Sequence, residues 1–479
     1  TTVGLFEVAI DALTTWRTAG GAIAKPLIVA STATMRNAAD QVRGLYGRGV
    51  LLFPPRVLDA GDTYFSAEVP ITRETPGRRY VGVSTTGVRL TTAEIRLAEV
   101  LMSGAQLVLD RCGLAADPYM TLVGYFNATR ELAGMTRYMQ DDVQTALSKG
   151  RPSIGLPRRT GTHYGSLNLD ELTSRVSGAG ITETLDKMAV RFDPAFDSSD
   201  GRRARREALD RKETLPERPV NPYDAILATS MLQVGVDVTR LGLMLMVGQP
   251  KNTAEYIQAS SRVGRDPSRP GLVVTLGNWA RPRDLAHYEQ FRPYHETFYA
   301  QVEPLSVTPF SVTSLERGLD GVLVSAVRVI EAVVPNGLSP EKSAGRIVEH
   351  REVVTRLIDA LVARTLAASD EESTTAASNR LFNRLDQWEK RRQALIDRGK
   401  ILAYERIKDT STYGPLMRSA ENVPVKGDDL DQPPFIVANS MREVQPEINL
   451  LVSPDPKRLH WVSPASAPDW VAASNGGDQ

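Results

Sequence analysis

Within eight positions the chain places an amide and two guanidiniums: Gln258, Arg262 and Arg265. At roughly 100° per residue, a helix puts Gln258 and Arg262 one turn apart on one face, with Arg265 one turn further on. Arginine's planar fork matches phosphate oxygens two at a time, so a nucleoside triphosphate is the natural ligand of such a face. The plain alternative is a surface helix with solvated arginines. Upstream, the apolar residues 226–228 end in Thr229 and Ser230, and Gly235 and Asp237 follow. A bounded apolar run reads as a buried strand, and a glycine and a carboxylate beyond its carboxyl end lie where open α/β sheets bind ligands. A second apolar run, 241–247, precedes a helix that starts at Thr253. The strand-loop-strand-loop-helix order joins the two halves and weighs against the solvated reading.

Composition bounds what surrounds this stretch. At 479 residues there is room for two or three domains, each with its own core. Lys plus Arg and Asp plus Glu both number 57, so any surface for nucleic acid must be local. The lone cysteine, Cys112, reads as a small buried hydrophobe in an amphipathic helix, and one thiol permits no internal disulfide. A single thiol suits a reducing cytoplasm. The five histidines show no metal-ligand spacing, and no apolar run reaches transmembrane length.

Ala228-Thr229-Ser230 through Gly235-Val236-Asp237 resembles motif V of superfamily 2 helicases. Gln258-Ala-Ser-Ser-Arg262-Val-Gly264-Arg265 is similar to their motif VI. The resemblance implies that Gln258 and Arg262 face the nucleotide and that Arg265 is the arginine finger on the γ-phosphate. It also implies that Gly235 and Asp237 couple nucleotide to nucleic acid and that Thr229 meets a backbone phosphate. The fold implied is α/β: a RecA-like helicase C-terminal domain, a parallel sheet with flanking helices. Ser31-Thr32-Ala33-Thr34, beyond an apolar run at 25–30 that reads as a buried strand, resembles motif III, which couples the two RecA-like lobes. A simple N-cap for the helix expected at 37–46 is the other reading of these hydroxyls.

The resemblance also orders the rest. Residues 1–75 are expected to close a first RecA-like domain, 76–305 to form the second, and 306–479 to be mainly helical. Thr1 opens straight into an amphipathic helix, as if continuing a longer polypeptide. A strand is expected at 79–83, a helix at 92–110, a strand at 119–126, and a helix at 128–147 capped by Asn127. Residues 149–222 are the least regular part. There Thr173 and Arg175, in a loop at 171–175, are candidates for the nucleic-acid backbone. Arg202, Arg203, Arg205, Arg206, Arg211 and Lys212 form the densest basic cluster, either a solvated face or a phosphate contact. After a core strand at 270–276, Trp279, Arg281 and Arg283 are further nucleic-acid candidates, and an aromatic helix runs from 283 to 299. A helix at 312–334 and another after Ser339-Pro340-Glu341 precede a seven-residue spacing, Leu381, Trp388, Leu395, Leu402, that reads as a helical-hairpin seam. A last ordered stretch is expected at 434–451, with a flexible end at 472–479.

No G-x-x-x-x-G-K-[ST] loop occurs, so ATP and Mg2+ are expected to be held mainly by a missing amino-terminal half. Segments around 231–265, 272–299 and 439–450 resemble the DrmA family, the large helicase subunit of the DISARM antiphage system. That resemblance implies a bacterial cytoplasmic ATPase that acts on DNA with a second subunit, DrmB. An RNA-directed superfamily 2 helicase and a non-catalytic RecA-like assembly scaffold are the rival readings.

Overall fold

The computed structural model describes residues 2–437, apart from 33, 54, 56, 60, 174–177, 234–236, 305–306, 406, 408 and 420–431. Arg175, Gly235, residues 438–451 of the stretch expected at 434–451, and the end at 472–479 therefore lie outside the described residues, as does Ala33.

Six parallel strands carry the architecture: β1 (Arg78–Ser84), β2 (Leu122–Phe126), β3 (Leu169–Leu172), β4 (Ala225–Ala228), β5 (Leu243–Val247) and β6 (Gly271–Gly277). Their order across the sheet is β1-β6-β5-β2-β4-β3. Every residue of β2, β4 and β5 is buried. Uninterrupted apolar runs such as Leu243-Met-Leu-Met-Val247 suit parallel strands covered on both faces. Val123, Tyr125, Ile226, Met244 and Met246 point to one face with Tyr256 and Ala259; Leu122, Phe126, Leu227, Leu243 and Leu245 point to the other with Ala98, Met102, Leu132 and Met135.

Helices α1 (Thr2–Leu13) and α2 (Ala38–Tyr46) precede the sheet. One face of the sheet is then covered by α3 (Leu90–Cys112) and α4 (Thr129–Tyr138), the latter continued by a π turn into α5 (Gln144–Lys149). Two further helices, α6 (Gly178–Met188) and α7 (Ser199–Asp210), lie between β3 and β4. Next, α8 (Thr253–Ser260) joins β5 to β6 and packs on the second face. After β6 come α9 (Pro282–Glu289), α10 (Phe291–Glu296) and the long helices α11 (Val312–Ile330), α12 (Arg351–Ala368) and α13 (Glu371–Ile396).

Several expectations need correcting. Residues 25–30 form no strand; Leu27 and Val29 are 87% and 86% exposed. An apolar run becomes a strand only where a neighbour accepts its backbone, and this segment has none among the described residues. Cys112 is exposed, because it is the last residue of α3, where the helix leaves the sheet. Asn127 does not cap α4: its amide donates to the carbonyls of Val247 (3.4 Å) and Gln249 (3.2 Å), which ties β2 to the end of β5. Glu171 and Leu172 belong to strand β3 rather than to a loop. The aromatic helix breaks at Gln290 into α9 and α10. Leu402 lies in a short strand, Ile401–Ala403, beyond the end of α13.

The chain divides into two units, one of Thr1–Leu315 with Arg356–Arg380, the other of Glu316–Thr355 with Leu381 onward. In the first, Asp11 on α1 is bound by Lys25 at 2.9 Å and by Arg48 and Arg364. In the second, Trp388 is fully buried and its indole N–H donates to the Ala344 carbonyl at 2.9 Å.

Candidate nucleotide and nucleic-acid site

Asn252 caps α8, its side chain accepting from the Glu255 N–H at 2.7 Å. The helix is shorter than its sequence pattern: it ends at Ser260, and the Arg262 N–H bonds back only three residues, to Ala259 (3.1 Å). Gly264 then adopts φ +65° and its N–H meets the Leu241 carbonyl at 2.7 Å. A Cβ there would lie 2.5 Å from the Gly271 Cα, so only glycine lets the chain fold back onto β6. Arg265 consequently leaves the helix and is presented from the turn that follows it.

The structure brings the expected residues together. The Gln258 amide donates to the Thr34 hydroxyl at 2.9 Å, across 224 positions of sequence. Thr34 is buried, whereas Ser31 and Thr32 are exposed. The Thr32 hydroxyl accepts from the Thr34 N–H at 3.3 Å, a local turn. Arg262 donates to the Gln233 carbonyl, and Arg265 pairs with the Asp237 carboxylate. Asp237 is largely exposed and Arg265 about one-third so. Burial, and next the charge of Arg265, pull the Arg262 guanidinium below its ordinary range. Two cations held close enough to repel each other form a place that favours an anion.

Sequence reasoning missed the support behind Arg262. The Gln233 amide donates to the Tyr125 hydroxyl at 2.7 Å, and that hydroxyl donates to Glu255 at 2.5 Å. Burial, and next the Glu255 carboxylate, push the Tyr125 hydroxyl well above the ordinary phenol range, which keeps it a donor. Glu255 reads in sequence as an ordinary acid in a first helical turn, and only the fold shows Tyr125 beside it.

The nucleic-acid candidates occupy the carboxyl edge of the sheet. Thr173 and Thr229 follow neighbouring strands β3 and β4, and the Thr229 N–H bonds to the Leu172 carbonyl at 3.2 Å. Arg281 and Arg283 follow β6, three strand spacings (roughly 14 Å) from β4 and four from β3. Arg283 and Trp279 are exposed. Arg281 is paired with Glu131 at 2.5 Å and stands near buried Glu94 and Asp284. Burial, and next Glu131, raise the Glu94 carboxyl to about 7.

Most of the basic cluster is engaged: Arg202 with the Thr160 carbonyl (2.8 Å), Arg203 with Asp200, Arg211 with Glu213 (2.7 Å), and Arg205 over the Phe196 ring (4.3 Å). Among the described residues no group of three or more His, Cys, Asp or Glu is placed to hold a metal ion, and no helix is long and apolar enough to cross a membrane.

Residues 190–267 match the helicase conserved C-terminal domain. Over 332 residues, 69% of its length, the chain is 37% identical to the DISARM protein DrmA of Bacillus paralicheniformis, and it spans 27% of that relative. Among solved structures it is similar to the DUF1998 helicase MrfA bound to DNA, at a TM-score of 0.39, 15% identity and coverage of 68% and 33% of the two chains. It is also similar to the Mycobacterium smegmatis helicase Lhr bound to single-stranded DNA and AMP-PNP, at a TM-score of 0.37, 14% identity and coverage of 74% and 33%. The chain carries a helicase conserved C-terminal domain and is a homologue of DrmA over 69% of its own length.

Proposed function

We propose that this chain supplies the arginine-finger half of an ATP-driven motor that moves on DNA in a bacterial, DISARM-like antiphage system. The observation that carries the reading is the grouping of Gln258 with Thr34, of Arg262 with the Gln233 carbonyl and of Arg265 with Asp237. These residues fit a triphosphate: two guanidiniums offer forked donors, and Gln258 links the helix to the segment resembling motif III. Arg265 serves the γ-phosphate, Arg262 and Gln258 hold the nucleotide, and Asp237 with Gly235 and the hydroxyls of Ser31, Thr32 and Thr34 pass its state to the nucleic acid. Arg175, Thr229, Arg281 and Arg283 line the path of the strand, with Thr173 buried behind them. Mg2+ and the phosphate-binding loop belong to a neighbouring RecA-like lobe, and a DrmB-like subunit is the protein partner.

Arg265→Ala in the whole protein is expected to cut DNA-stimulated ATP hydrolysis by ~10³-fold or more while leaving DNA binding nearly intact. Wild-type turnover in that variant favours an assembly scaffold instead. The 479-residue chain by itself is expected to show no magnesium-dependent ATP turnover. Appreciable hydrolysis by it, assayed with malachite green, overturns the division of labour.

A further inference from the structure

At the opposite edge of the sheet lies a cavity of about 370 Å³. Its lining includes Arg158, Arg159 and Arg206, the hydroxyls of Ser148 and Thr160, and no carboxylate. The floor is built. Arg159 is fully buried and donates to the Met102 carbonyl (3.2 Å), the Met120 carbonyl (2.7 Å) and Asp224 (2.8 Å). Its Nε has no acceptor among the described residues. Asp224 also accepts from the N–H groups of Thr162 (2.8 Å) and Asn168 (3.0 Å), so it anchors the loop that forms the wall. Met120 and Asp224 lie just before β2 and β4, and the loop leads into β3; the cavity therefore faces away from Thr173 and Thr229.

Of the basic cluster on α7, Arg206 is the one that lines this cavity. Among the described residues no hydrogen bond or ion pair involves the side chain of Arg206 or of Arg158. Gly161 and Gly165, also in the lining, bracket a tight hairpin whose tip carries His163 and Tyr164. Tyr164 is 96% exposed and held at φ +51°, a conformation a bulky residue rarely adopts. Its ring packs against that of His163, centroids 5.1 Å apart. A fully solvated ring held on strained backbone beside a carboxylate-free arginine cavity has the make-up of a nucleotide seat: guanidiniums for the phosphate and a π-face for the base.

We propose that this cavity is a second contact for single-stranded nucleic acid, with Arg158 and Arg206 on a backbone phosphate and Tyr164 stacked on a base. The volume exceeds what one inorganic phosphate fills, and the exposed ring would be idle against one. The site shares with the proposed motor only the premise that the chain handles nucleic acid.

The test is photocrosslinking of the 479-residue chain to oligothymidylate carrying 5-iodouracil, with peptide mapping. An adduct on His163 or Tyr164 is expected. Arg158→Ala with Arg206→Ala is expected to lower its yield at least tenfold, leaving adducts at the carboxyl edge (173, 229, 279–283) unchanged. Arg158→Lys with Arg206→Lys is expected to retain most of the adduct, which separates lost contact from lost folding. Tyr164→Ala is expected to weaken oligothymidylate binding about tenfold by anisotropy. Carboxyl-edge adducts with none at 161–166, or a hairpin adduct indifferent to the double alanine variant, overturns the second site alone. Absence of adducts at both edges overturns the nucleic-acid path of the motor as well. Pyrophosphate that raises the melting temperature of the wild type but not of the double alanine variant, without any hairpin adduct, assigns the cavity to a free phosphate and overturns the strand contact.

Discussion

Glu94 shows how a single side chain on this domain is set by its surroundings. Burial on α3, reinforced by Glu131, raises its carboxyl to about 7, against a restraining pull from Arg281. With the folded value above the unfolded one near 4.5, the folded state binds the proton more tightly. Stability falls as pH rises from about 4.5 through 7 and stays lower above it. Glu94→Gln removes this loss. It is expected to stabilise the chain by roughly 2 kcal/mol at pH 8 and to change little at pH 4.5, as read by urea denaturation at the two pH values. Neither the burial of Glu94 nor the Tyr125–Glu255 pair behind Arg262 was legible in the sequence, since both depend on partners more than thirty positions away. Gln258, Arg262 and Arg265 were legible because their chemistry is local in sequence. The residues that aim them were not.

Elements were readable where one physical signal dominated. The unbroken apolar runs of β4, β5 and β6 and the Thr253 start of α8 appear where the pattern places them. Strand β3 escaped because Leu-Asp-Glu-Leu at a sheet edge is only half-buried and carries two acids, one bonded to the Thr136 hydroxyl at 2.6 Å. The run at 25–30 failed in the opposite sense: apolar content without a sheet neighbour made no strand. Helical spacing extended α8 through Arg265, yet the helix ends at Ser260 and Gly264 in the left-handed region turns the chain toward β6. Gly264→Ala tests that element directly. Its Cβ would press on the Gly271 backbone at a φ alanine resists, so a loss of at least 2 kcal/mol is expected by chemical denaturation, with Arg265 displaced. A melting curve that matches the wild type would mean that the turn tolerates a side chain.

Across the whole molecule the balanced charge, 57 of each sign, resolves into local arrangements. Asp11 is the clearest: buried on α1, it is bound by Lys25, Arg48 and Arg364, groups spread over 353 positions. Burial alone would raise its carboxyl; these three cations hold it at about 2. Its contribution is present above the unfolded value of 3.8 and is lost as pH falls toward 2. Asp11→Asn strands the cations and is expected to cost about 3 kcal/mol at neutral pH, a difference that shrinks below about pH 4. Equal denaturation midpoints for the two proteins at pH 7 would rule out this role. The sequence held no hint of it, because one aspartate in an amphipathic helix carries no mark of partners so remote.

Arg265 is already occupied, and by an acid from the same chain. In the proposed motor, an oxyanion arriving at Arg265 competes with that carboxylate for its guanidinium. Such an exchange would free Asp237, whose side chain is largely exposed to solvent. In the motor proposed above, the freeing of Asp237 would itself report that the seat has been taken.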